Sequence, residues 1–238
     1  MSEAAAGRPF GEGPLSRASA LVYTLLVVEL SFLAAALPGL AGLVLLDRSA
    51  GNLPLAVACA LPVGPALSAA LYALHRRGRD LADLRPAAAF WRGYRANLGG
   101  VLKLWIPYLG WMAIVATTLA NLGAAGVPGW WAALLAAVAV AATLWAAGAL
   151  VITSLFAFRA ADVARLAAYF LSRRPAVTLA NACLLVVAGG VTLVATEAVT
   201  ALLASVLVAA LLWNARPVVA DVEREFTAPA AAPPTGEI

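Results

Sequence analysis

The chain has 238 residues, of which 63% are hydrophobic and only 12% charged, and its formal net charge is +4. A water-soluble domain of this length has no core large enough to bury that much apolar surface, so the composition describes an integral membrane protein. The positive charge does not point to nucleic acid, because the arginines stand at the ends of apolar runs, where they anchor and orient spans.

The first apolar run covers residues 18–46, after a polar tail (1–17) that reads as disordered. Ala34–Ala36 offers an A-x-A-like cleavage site, but the run continues to Asp47, well beyond a signal-peptide core, and predicts a retained transmembrane helix. Glu29 sits near its middle, where a lone carboxylate costs roughly 2–3 kcal/mol on insertion scales and must face the bundle interior. Two roles are open for it. It is either a proton- or substrate-coupling group, or a neutral acid hydrogen-bonded to a neighbour such as Ser31, Ser68, Thr117 or Tyr72.

The second run, 53–74, is interrupted by Pro62, Gly64 and Pro65. Proline removes a backbone donor and crowds the preceding turn, so the helix kinks or restarts near Pro65 and leaves carbonyls free around Cys59–Leu61. Interrupted helices form substrate sites in transporters, which makes Glu29, Ser68 and Tyr72 a candidate intramembrane polar site. The packing alternative is that Gly64 and Ser68, four residues apart, let helices approach closely.

Further apolar runs cover 98–120, 130–157 and 176–213. The last is too long for one crossing and should turn near Ala195–Ala198, giving six spans in residues 18–215 and a largely disordered tail over 216–238. With both termini on one side, all but Arg48 of the 16 Lys and Arg lie on that side, and the positive-inside rule assigns it to the cytoplasm.

Two basic loops on this side read as amphipathic helices at headgroup level. "PAAAFWRGYRANLGG" sets Phe90, Trp91 and Tyr94 beside Arg92 and Arg95; "RAADVARLAAYFLSRRP" sets a stripe of Val163, Leu166, Tyr169 and Phe170 among Arg159, Arg165, Arg173 and Arg174. They serve as membrane anchors or as a docking surface built from Trp91, Arg92, Arg95, Asn97, Arg173 and Arg174. Asn97 and Asn181 open the third and fifth spans and read as caps or interhelical hydrogen bonds. The tryptophans read mostly as interface markers. Leu71–Leu74 and Ala96–Asn97 echo Leu155–Phe158 and Ala180–Asn181 at an offset of 84, a weak sign of duplication.

Enzyme chemistry finds little support. The single histidine, His75, excludes a two-imidazole metal site, Cys59 and Cys183 lie alone in apolar runs, and no nucleotide-binding, hydrolase or zinc-protease motif is present. No metal or cofactor is expected.

The expected fold is an all-α membrane protein, a polytopic bundle of six transmembrane helices with two cytoplasmic amphipathic loop helices. Its segments "LPVGPALSAALYALHRR", "FWRGYRANLGGVLKLW" and "RLAAYFLSRRPAVTLAN" resemble the YesL-like family of bacterial membrane proteins, a domain of unknown function (624), over roughly Leu21–Asn214. The resemblance implies an accessory role beside carbohydrate uptake systems of the ATP-binding-cassette (ABC) type, with the transporter subunits and the bilayer as partners. The alternative is a small secondary transporter using Glu29 and the broken second span.

Overall fold

A computed structural model describes residues 14–47, 49–79, 85–124, 126, 128–195 and 197–226. Among them the regular structure is entirely helical. α1 (Pro14–Leu45) is followed by a 3₁₀ turn (Ala50–Asn52), α2 (Leu53–Cys59), α3 (Val63–Arg79) and α4 (Pro86–Asn121). The second half holds α5 (Trp130–Leu155), α6 (Ala160–Arg173), α7 (Pro175–Val194), α8 (Glu197–Leu202), α9 (Ala204–Asn214) and α10 (Arg216–Phe226).

Five stretches, Ala18–Leu45, Leu53–Arg77, Pro86–Asn121, Trp130–Leu155 and Pro175–Val194, are long and apolar enough to cross a bilayer. The run after α7 turns where the sequence places the turn, around Ala195. A contact between the Thr192 and Thr200 hydroxyls at 2.7 Å and a bond from Asn214 to Asn181 at 3.2 Å lay α8 and α9 antiparallel along α7. This returning leg is not one helix. It breaks at Leu203, and the 11 residues of α9 extend about 16 Å, roughly half a bilayer core.

The core lies where α1, α3, α4, α5 and α9 meet. α1 presents Val28, Phe32 and Ala36, one per helical turn, to a face of α3 made of Ala66, Ala69, Ala70 and Ala73; Val101 and Trp105 of α4, Leu150 of α5 and Val208 of α9 close around them. Alanines on α3 let four neighbours approach its backbone, which replaces the missing hydrophobic drive in lipid with close packing. Smaller packing joins Ala149 and Ile152 of α5 to Val163, Ala167 and Phe170 of α6 and to Val218 and Val222 of α10.

The second span breaks at Ala60–Pro62 and restarts at Val63, close to Pro65, which sits in the first turn of α3, where its missing N–H has no role to fill. Three sequence expectations are corrected. Residues 86–97 are no separate amphipathic helix but the start of the 36-residue α4, about 54 Å long; Phe90 is fully buried while Trp91 is exposed. In α6, which is separate as expected, Ala167 rather than Tyr169 completes the buried stripe with Val163 and Phe170; Tyr169 is exposed. Residues 216–226 form α10, whose face of Val218, Val219, Asp221 and Val222 is buried, so this part of the expected tail belongs to the fold; residues 1–13 and 227–238 lie outside the described residues. The two units of the suspected duplication also differ, since α4 is continuous where α6 and α7 are two helices.

The outer part of α1 fits tightly on the α2–α3 break. A Cβ on Gly39 would lie 2.0 Å from the Cys59 carbonyl oxygen and 2.8 Å from Pro62 Cγ, and one on Gly42 would lie 2.7 Å from Cys59 Sγ. Gly39→Ala is therefore expected to lower stability in detergent by about 1–3 kcal/mol, as overpacking does. Gly110→Ala on α4, with nothing within 4 Å of the added Cβ, should be neutral or stabilising. Thermal unfolding of the pair checks this, and equal effects would remove the close approach from the account.

Candidate functional site

A helix that stops inside an apolar bundle exposes backbone groups to surroundings that offer no water. Both breaks here are met by side chains from other helices. At the α2–α3 break, Trp105 of α4 donates its indole N–H to the Ala60 carbonyl at 3.0 Å. The ring reaches it by lying over Gly64, where a Cβ would come within 2.5 Å of the indole. Gly64 is thus required by the Trp105 contact, and Trp105, 9% exposed, is an interior residue rather than an interface marker.

At the α8–α9 break the partner is Glu29. Its Oε2 accepts the backbone N–H of Ser205 at 2.7 Å, in the first turn of α9, whose Leu203 cap supplies no side-chain bond. A carboxylate at this place meets an otherwise orphan donor and the positive end of the helix dipole. Glu29 is 8% exposed, and its second oxygen, Oε1, is enclosed without a hydrogen-bond partner among the described residues.

Glu29 does not join Ser68 and Tyr72 in one site. Ser68 is fully buried in a node across three helices: the Ser154 hydroxyl donates to Ser68 Oγ at 2.8 Å, and Asn97 Nδ2 donates to Ser68 Oγ at 3.3 Å and to the Ser154 carbonyl at 3.2 Å. Tyr72 accepts from Arg76 at 2.9 Å and packs its ring on Gly93, where a Cβ would lie 2.6 Å away. The other neighbours considered for Glu29 are turned inward on their own helices: Ser31 donates to the Val27 carbonyl and Thr117 to that of Ala113. The residue sequence reasoning missed is Ser205. It acts through its backbone amide, which no side-chain pattern announces.

The candidate docking residues divide. Trp91, Arg92 and Arg95 are exposed along the start of α4, and Arg173 is exposed on α6, its guanidinium 5.7 Å from the Tyr169 ring centre. Asn97 belongs to the interior node. Arg174 is tied to α10: its Nε donates to Asp221 Oδ2 at 2.8 Å, and Arg224 Nη2 donates to Asp221 Oδ1 at 2.6 Å. The Arg174 hydrogen bond holds the Asp221 carboxyl below its ordinary value; burial opposes this and Arg224 adds to it.

Among the described residues no three His, Cys, Asp or Glu lie close enough to hold a metal ion. The fold and these contacts define a polytopic α-helical membrane protein with an internally bonded core and a basic, aromatic end. Comparison with protein-family models, with curated protein sequences and with solved structures finds no match to the chain.

Replacing Glu29 by Gln keeps an acceptor for the Ser205 N–H, whereas Glu29→Ala leaves a buried donor unpaired. The alanine variant should be less stable than the glutamine variant by about 1–3 kcal/mol, with faster hydrogen exchange confined to the first turn of α9; indistinguishable variants would contradict the cap. A second prediction follows from Asp221. With its folded-state value depressed, the carboxylate stabilises the α7–α10 contact above the usual carboxylate range, and this is lost as pH falls through the depressed value. A spin-label distance between α7 and α10 should broaden on acidification and be pH-insensitive in Asp221→Asn.

Proposed function

We propose that the chain is a non-enzymatic protein of the bacterial cytoplasmic membrane. It has six crossings and both termini in the cytoplasm, and it assists a transport complex through its basic cytoplasmic rim. The observation that carries this reading is the exposure of Trp91, Arg92 and Arg95 on the first turns of α4, while the polar groups of the interior are largely bonded to one another. Exposed arginines interleaved with an aromatic side chain suit an acidic protein surface, and a core in which only Glu29 Oε1 and Thr153 Oγ1 are left buried without a partner among the described residues provides little to bind a solute. The resemblance to the YesL-like family makes subunits of an ABC-type carbohydrate importer the proposed partners.

Charge reversal at Arg92 and Arg95 should abolish mild crosslinking to those subunits in membranes and slow sugar uptake, leaving the amount of folded protein unchanged. Unchanged partners and uptake would defeat the proposal.

A second reading is favoured by one specific observation, the unpaired Oε1 of Glu29 beside a half-helix N-terminus. Discontinuous helices of this kind hold substrate and coupling ions in secondary transporters. On that reading the purified protein in liposomes moves a solute, and Glu29→Gln stops it without loss of folding. An inert preparation across a sugar panel would leave the accessory role standing.

A further inference from the structure

One cleft is used by neither reading. It lies between α5 and α7, closed at one end by α6 and α10, and holds about 450 Å³ counted out to its open side. Leu144, Gly148, Phe170 and Val218 make its apolar walls, and Thr178 and Asn181 are its main polar groups. Both are already bonded, Thr178 Oγ1 to the Leu171 carbonyl at 2.8 Å and Asn181 to Asn214. The outer wall, α7, has no buried residue. From Leu144 to Ile152 the cleft follows α5 for about 12 Å.

Its closed end is charged. Arg174 stands one turn before Thr178 on α7, and Asp221 one turn after Val218 on α10; Asp221 draws Arg174 and Arg224 together. Two guanidiniums share one carboxylate, and each keeps a nitrogen, Nη1, with no bond among the described residues. Glu223 and Glu225 flank Arg224 on α10, Glu223 half-buried and Glu225 exposed. An arginine fork of this kind matches phosphate oxygens.

We propose that this cleft binds one anionic phospholipid, with an acyl chain between α5 and α7 and the headgroup phosphate on Arg174 and Arg224. Two arguments select this occupant. An apolar groove beside a helix of membrane-crossing length has acyl chains as its surrounding solvent, and its walls are mainly apolar. The two guanidiniums stand at the end where a chain filling the groove would present its phosphate, as in basic pockets between transmembrane helices.

The test is native mass spectrometry of the full-length protein in detergent with equimolar phosphatidylglycerol and phosphatidylcholine. The intact protein should retain one phosphatidylglycerol in preference. Arg224→Gln leaves Asp221 paired with Arg174 and should reduce that preference about fivefold, the effect of one basic residue at an anionic surface. Gly148→Leu, which fills the cleft, should reduce retention of both lipids. Equal retention of the two lipids by the intact protein overturns the proposal. So does a preference that survives Arg224→Gln and disappears in Arg92→Gln/Arg95→Gln, which assigns it to the α4 rim. Displacement of the lipid by millimolar inorganic phosphate would reduce the site to a free-anion site and also overturn it.

Discussion

Two helices of this bundle stop inside it, and a helix that stops in apolar surroundings leaves N–H and C=O groups that only other parts of the protein can satisfy. The structure is organised by meeting that demand. α1 packs against both α3 and α9. Its Gly39 and Gly42 admit the Cys59 turn of the first break, and its Glu29 caps the second. The tryptophan that reaches the first break comes from α4 and forces glycine at position 64. Removing Glu29 leaves the Ser205 N–H unpaired rather than merely opening a cavity, a penalty that side-chain repacking does not recover.

What the sequence made legible follows from the scale of each signal. Apolar length and the segregation of arginines define the class, and the arithmetic of a run too long for one crossing locates the turn near Ala195. Glu29 and the Pro62–Pro65 segment stand out because charge and proline are expensive in a helix interior. Their partners do not stand out. Glu29 meets a backbone amide 176 positions away, and Ala60 meets an indole that composition alone places at a membrane surface. Asn97, on the basic side of its span, reads as a cap or an interhelical hydrogen bond, and it is the second: α4 runs unbroken through it and its amide donates to Ser68 and Ser154. Arg174 looks like one more surface charge until α10, hidden in an expected tail, brings Asp221 to it.

These contacts separate two regions with different work. In the interior, the Ser68–Asn97–Ser154 node, the Trp105 bond and the Glu29 cap join α1, α3, α4, α5 and α9 into one unit whose polar groups mostly face one another. At the basic end, α6 and α10 lie across α5, Arg174, Asp221 and Arg224 clamp α10 to α7, and Trp91, Arg92 and Arg95 remain exposed. Exposed basic and aromatic side chains are concentrated at that end, while the broken helices hold the scaffold that positions it.

The claim that the Glu29 cap and the Ser68–Asn97–Ser154 node are sealed structural joints is tested most directly by cysteine accessibility. In a background with Cys59 and Cys183 replaced by serine, Ser154→Cys and Ser205→Cys, whose parent side chains are 2% and 3% exposed, are challenged in membranes with an impermeant thiol reagent from each side. Sealed joints predict that neither position reacts, while a Trp91→Cys control does. Modification at position 205 from either side would contradict this account, because it would require a water-filled path to the Glu29 cap.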